Sequence, residues 1–113
     1  MTTRFEKIMR LADELLSYCH LHGAKELHLD IAEEDKSVTL VVRAPWKDLP
    51  NEDLEWLRQC LNAPRQREIE QDFWELIGET ENSCEITLCG MLCDHATVDY
   101  DRAFLTITLT RMD

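Results

Sequence analysis

The chain has 113 residues, of which 44% are hydrophobic and 31% charged, and its formal net charge is −11. This length and composition fit a single domain over residues 1–113 that buries a core without metal or disulfide staples. The charge excludes nucleic acid and anionic membrane as partners, because a polyanion would be repelled. The negative charge either keeps the protein soluble or allows it to recognise a basic partner.

The chain carries no sign of export or membrane insertion. Its N-terminus is charged where a secretory signal needs an apolar stretch, and no apolar run is long enough to span a bilayer. We therefore expect a cytoplasmic protein. Its five cysteines should stay reduced there, and their odd number argues against a closed disulfide framework.

The first predicted element is an amphipathic helix that starts near Phe5. Its apolar side chains recur every three or four residues and include Cys19, and Gly23 stands where a left-handed cap would end it. Two strands of alternating pattern follow, and together they predict a hairpin with one buried face. The apolar positions of these strands are Leu27, Leu29 and Ile31, then Val38, Leu40 and Val42.

Two more helices are predicted after the hairpin. Pro45 ends the second strand, and Asn51 is placed to cap a helix. That helix has three leucines on one side: Leu54, Leu57 and Leu61. Pro64 opens the next helix, and Gly78 ends it.

Trp56 and Trp74 lie away from the apolar centres of these two helices. They either extend the core between the helices or form an exposed aromatic patch. Exposed tryptophan is enriched at interface hot spots, so the second alternative makes both residues anchors for a protein partner.

Alternation of period two returns from Ser83 onward and predicts three strands, with Asp101 and Arg102 in the last turn. Their apolar positions are Cys84, Ile86 and Leu88; Ala96, Val98 and Tyr100; Leu105, Ile107 and Leu109. The order is helix, strand, strand, helix, helix, strand, strand, strand. Because each strand has one apolar face, we predict an α/β fold of the α+β type: a two-layer sandwich with a mainly antiparallel sheet and helices on one face.

The other face of this sheet should be rich in threonine. It would carry His28, Asp30, Thr39, Val41, Arg43, Glu85, Thr87, Cys89, Thr106 and Thr108. Such a face either meets solvent through cross-strand threonine pairs or contacts a second subunit. The last strand has no internal proline to block pairing if it lies at an edge. The candidate residues of a homodimer interface are Val41, Phe104, Thr106 and Thr108.

Residues 12–23, Ala-Asp-Glu-Leu-Leu-Ser-Tyr-Cys-His-Leu-His-Gly, precede a hairpin. Over about residues 5–45 the chain resembles the first conserved helix and hairpin of GHKL-type ATPases, such as the histidine-kinase ATP-binding domains. In that family a Glu activates water, an Asn four residues later binds magnesium, and a His or Lys four residues further approaches phosphate. Glu14 and His22 match the outer positions.

Tyr18 stands at the Asn position, and a phenol cannot replace a carboxamide oxygen on a hard cation. The chain also has Arg-Ala-Pro-Trp at residues 43–46, where the family has an Asp-x-Gly-x-Gly loop. The resemblance therefore implies a shared architecture without ATPase activity, and we expect magnesium-ATP not to bind.

Glu14, Tyr18 and His22 form a row on one side of the helix, away from its apolar stripe. The row is either a solvated helix face, with Glu14 paired to Lys7 or Arg10, or the wall of a ligand pocket. In the second case the three residues are candidate ligand-binding residues.

The remaining cysteines and histidines do not have the spacing of a metal site. No Cys-x-x-Cys occurs, and Cys84 and Cys89 are five residues apart, which places them on opposite faces of a strand. Cys93 and His95 are close in sequence but have no signature of a nucleophile with its base. We predict no metal, no cofactor and no catalytic residue.

The sequence favours a noncatalytic cytoplasmic regulatory or adaptor module that acts through protein–protein contacts with an unidentified partner. The alternative is a small-ligand or nucleotide-binding protein, or an enzyme, that uses a pocket near Glu14, Tyr18 and His22.

Overall fold

A computed structural model of the chain describes residues 4–62, 86, 89 and 92–112. These residues contain the helices α1 (Arg4–Leu21) and α2 (Asn51–Leu61) and the strands β1 (His28–Glu33), β2 (Ser37–Pro45), β3 (His95–Tyr100) and β4 (Phe104–Met112). The strands form one antiparallel sheet in the order β1-β2-β4-β3. The predicted fold class, an α+β sandwich with an antiparallel sheet, is confirmed.

Helix α1 packs on β2 through its apolar stripe, and Ile8, Leu11 and Leu15 are fully buried there. Cys19 is 1% exposed, as predicted. The helix ends in a Schellman motif, because Gly23 adopts a φ of 97°. The N–H groups of Gly23 and Ala24 donate to the carbonyls of His20 and Cys19, each at 3.0 Å. The predicted glycine cap is confirmed.

The covered face of the sheet is the one turned toward the helices. In the central strands Leu40 lies opposite Leu109 and Val42 opposite Ile107, and all four are buried. Leu57 and Leu61 of α2 join the same core, as predicted from their spacing. The buried apolar members of the covered face are Val38, Leu40, Val42, Ala44, Val98, Leu105, Ile107 and Leu109.

Strand β1 departs from the prediction of a buried apolar face. Leu27, just before the strand, and Leu29 are 38% and 37% exposed. The reason is position: α1 packs on β2, and β1 is the edge strand beyond it. Strand β4 lies inside the sheet, so the final strand is not an edge, and the edges of the sheet are β1 and β3.

The prediction of a strand from Cys84 to Leu88 is wrong at Ile86, because Ile86 is helical. Cys89, just after the predicted strand, is helical as well. Both residues are buried, with exposures of 1% and 0%. Cys89 is therefore in the core and not on the outer sheet face. Other predictions lie outside the described residues: Cys84, Glu85, Thr87, Leu88, Trp74 and the helix from Pro64 to Gly78.

Helix α2 begins at Asn51 and is not capped by it. The N-cap position is Pro50, and no side-chain hydrogen bond caps the helix. Proline fits here because its ring fixes φ near the observed −62°. Of the two helices described, neither is both long and apolar enough to cross a bilayer.

Candidate functional site

The open face is the side of the sheet turned away from α1 and α2. The antiparallel registers align its side chains in rows across the four strands, and the central row pairs Val41 with Thr108. From β1 to β3 the three rows are Ala32, Thr39, Thr110 and His95; Asp30, Val41, Thr108 and Thr97; His28, Arg43, Thr106 and Asp99.

The predicted interface residues of the sheet lie together at the centre of this face. Val41, Thr106 and Thr108 are partly exposed, and so is Phe104 beyond Arg43 at the end of the face. Of the described residues, the core cluster includes none of these four. Their placement as one surface agrees with the sequence pattern, and their role in an interface stays a prediction.

The open face carries little charge. Its described residues include two acids, Asp30 and Asp99, and one base, Arg43, so their formal charges sum to −1. The whole chain has a formal charge of −11. Exposed acids cluster instead from the end of β1 into the β1–β2 turn and on α2: Glu33, Glu34, Asp35, Glu52, Asp53 and Glu55.

Arg43 lies along the open face toward its end. Its guanidinium carbon is 4.1 Å from the centroid of the Phe104 ring, a cation–π contact. At the same end the carboxylate of Asp101 accepts hydrogen bonds from the N–H groups of Phe104 (2.7 Å) and Ala103 (2.9 Å). These two bonds, and the positive charge of Arg43, hold the pKa of Asp101 below its ordinary value.

The row predicted as a ligand site is packed against other aromatic rings. Glu14 and Tyr18 are 6% and 5% exposed, so the interpretation of the row as a solvated helix face is wrong for these two residues, whereas His22 is exposed. Tyr18 is covered by Trp46 and Trp56, whose rings stack on it with centroids at 5.9 and 6.1 Å. Ligand binding by this row stays a prediction.

His22 belongs to the same group of rings. We call this group the aromatic cluster: Tyr18, His22, Trp46 and Trp56. The imidazole is 4.4 Å from the Tyr18 ring and 5.4 Å from the Trp46 ring. Its Nδ1 donates to the carbonyl oxygen of Tyr18 at 2.9 Å. Trp56 remains 46% exposed, so it both covers Tyr18 and presents apolar surface to solvent.

Cys93 is buried, whereas His95 is exposed on the open face. Sequence reasoning missed the part that Trp46 plays in the aromatic cluster. In the sequence, Trp46 is noticeable only as part of the segment that departs from the GHKL loop. A single aromatic residue after a strand has no periodicity that would reveal its neighbours.

No protein family model matches this chain, and no curated protein matches it in sequence. Its function is therefore inferred from the geometry of the open face and of the surfaces beside it.

Proposed function

We propose that this protein is a noncatalytic cytoplasmic regulatory or adaptor module that acts through protein contacts made by its open face. The observation that carries the proposal is a sheet face with a central apolar residue, Val41, a row of threonines and a formal charge of only −1. The centres of protein interfaces are depleted in charged side chains. Most of the acids among the described residues would be kept away from such a contact.

A second copy of the chain is the partner that this face fits best. Two-fold symmetry would bring the same face of each copy together. If the two-fold axis runs parallel to the strands and passes between β2 and β4, strand β1 of each copy faces strand β3 of the other copy. His28 would then lie across from Asp99, and Asp30 across from Thr97, so no like charges would face each other.

The resemblance to GHKL domains supports a role without ATP hydrolysis. Tyr18 occupies the position of a magnesium ligand, and its ring is stacked against Trp46 and Trp56. Reorienting that side chain toward a metal would break these two stacking contacts. Magnesium-dependent ATP binding at micromolar affinity, measured by calorimetry, would instead favour the ligand-binding alternative at Glu14, Tyr18 and His22.

The test is the oligomeric state of wild type and of Val41→Lys in analytical ultracentrifugation at physiological salt. Val41 lies near the proposed two-fold axis, so the substitution places two cations close together in the contact. We expect wild type to form a dimer and the variant to dissociate at least about tenfold more readily, equivalent to about 1.4 kcal/mol.

Gln59→Lys is the matched control, because Gln59 is exposed on α2 and the substitution adds the same charge away from the open face. It should dimerise like wild type. Raising the salt concentration should strengthen the wild-type dimer, since salt screens the repulsion between two chains of charge −11. A wild-type monomer at high concentration, or a dimer indifferent to Val41→Lys, would rule out a second copy at this face.

A further inference from the structure

A cleft lies at the end of the sheet where α1, β2 and the β3–β4 turn meet, and we call it the basic cleft. Its volume is about 680 Å³. That size falls within the usual range of small-molecule sites, roughly 300–1,000 Å³. The walls come from three separate segments of the chain: residues 23–26, 45–47 and 102–103.

The charge of this cleft is opposite to that of the chain. Lys25, Lys47 and Arg102 line it together with one acid, Glu26, so its lining has a formal charge of +2. The chain as a whole has a formal charge of −11. The Glu26 carboxylate is 3.6 Å from Nε2 of His28, the first residue of the edge strand β1.

The backbone around the cleft is unusual. Among the described residues, positive φ occurs at Gly23 (97°), Asp48 (58°) and Arg102 (76°). Gly23 and Arg102 line the cleft, and Asp48 follows its lining residue Lys47. Glycine adopts positive φ freely, whereas for arginine it is strained. Strained residues of this kind concentrate at binding sites.

The cleft is also held in shape by hydrogen bonds between its segments. The N–H of Trp46 donates to the carbonyl of Ala103 at 2.9 Å, which joins the end of β2 to the β3–β4 turn. The hydroxyl of Tyr100 donates to the carbonyl of Trp46 at 2.9 Å and accepts from the N–H of Leu49 at 3.1 Å. Two of the walls are thus fixed relative to each other before any ligand arrives.

We infer that the basic cleft binds a small organic phosphate. Two ammonium groups and one guanidinium supply donors for phosphate oxygens, and guanidinium binds such oxygens in a bidentate manner. The cleft is larger than one phosphate group requires, and its lining includes Pro45, Trp46 and Ala24 as apolar surface for the organic part. The cleft adjoins the end of the open face at Pro45, which lies opposite Phe104, and its ligand goes beyond the proposed function.

The experiment titrates the full chain with phenyl phosphate and with inorganic phosphate by calorimetry at physiological salt. We expect one phenyl phosphate per chain, bound at least tenfold more tightly than inorganic phosphate because only the former uses the apolar lining. Lys47→Gln should weaken binding of phenyl phosphate at least fivefold, since it removes a cation of the cleft.

Arg102→Gly is the most informative variant. It removes the guanidinium and places glycine at a φ that glycine adopts without strain, so the melting temperature should stay the same or rise. Phenyl phosphate affinity should nevertheless fall at least tenfold. A loss of binding in a chain that is equally or more stable cannot be attributed to unfolding.

Lys36→Gln is the matched control, because it removes a cation from the turn at the opposite end of β2. It should bind like wild type. The inference is overturned if wild type shows no saturable binding, if Lys36→Gln weakens binding as much as Arg102→Gly does, or if Arg102→Gly binds like wild type.

Discussion

The two faces of the sheet are built from alternate residues of the same strands, and they differ in almost every property. On the covered face Leu40 and Ile107 are fully buried under the helices. On the open face their neighbours Val41 and Thr108 are partly exposed and lie among threonines and a few charges. Neighbours in sequence thus serve different purposes: one face stabilises the fold and the other is available for contacts.

This division follows from strand geometry. Successive side chains point to opposite sides, so a single strand such as β2 contributes to both surfaces. Substitutions one residue apart should therefore affect different measurements. Those on the covered face should change the free energy of unfolding, and those on the open face should change association.

The largest expected effect compares Leu40→Ala with Val41→Ala. Leu40 is 0% exposed, so its truncation leaves a cavity in the core and should lower the free energy of unfolding by about 2–5 kcal/mol. Val41 is partly exposed, and its truncation should cost less than about 1 kcal/mol. Urea unfolding measures both.

The measurement should be made at a protein concentration at which the chain is monomeric, because an open-face contact would add stability through association. Equal losses for the two variants in the monomer would mean that Val41 is covered as fully as Leu40. The distinction between the two faces would then fail.

A smaller effect is expected for Tyr100→Phe on the covered side of β3. The hydroxyl group bonds to the backbone of both Leu49 and Trp46, so it fastens the β2–α2 connection to the sheet. Its removal leaves one N–H and one carbonyl without this partner and should lower the free energy of unfolding by about 1–2 kcal/mol.

Thr97→Val, on the open side of the same strand, is the comparison. Thr97 is exposed, so its substitution should change stability by about 0.5 kcal/mol or less. A Tyr100→Phe variant as stable as wild type would show that the hydroxyl group does not fasten this connection.

Much of the fold could be predicted because it depends on local periodicity. The stripe of α1, its glycine cap and the alternation in β2 and β4 all follow from spacings of two or of three to four residues. The prediction failed where tertiary position decided the outcome. Leu29 alternates like Val42 opposite it, yet it is exposed because α1 packs over the neighbouring strand.

The sites were harder to predict than the fold. The threonine pattern of the open face is visible in the sequence because strands alternate. The packing of Trp46 and Trp56 on Tyr18 is not, since these residues lie on separate elements with no common period. The cations of the basic cleft are likewise scattered, and the positive φ of Arg102 becomes evident only in three dimensions.

The smallest expected effect is the pH dependence contributed by Asp101, at the end of β3 beside the open face. Its carboxylate accepts bonds from the N–H groups of Phe104 and Ala103, and its pKa lies below the ordinary value of 3.8. A lowered pKa in the folded state means that the unfolded chain takes up the proton first. The stabilisation is therefore full above about pH 4 and is lost as the pH falls through the lower pKa of the folded state.

Asp101→Asn tests this contribution, because the amide oxygen still accepts the two hydrogen bonds but does not ionise. The other acids titrate alike in both proteins, so the difference between wild type and variant in the free energy of unfolding isolates Asp101. That difference should be constant from about pH 7 to pH 5. Between about pH 4 and pH 2 the free energy of unfolding of wild type should fall relative to that of the variant. Because Asp101 is fully exposed, the shift should be small and should weaken further at high salt. A difference that stays constant down to about pH 2 would show that the turn does not depend on the charge of Asp101.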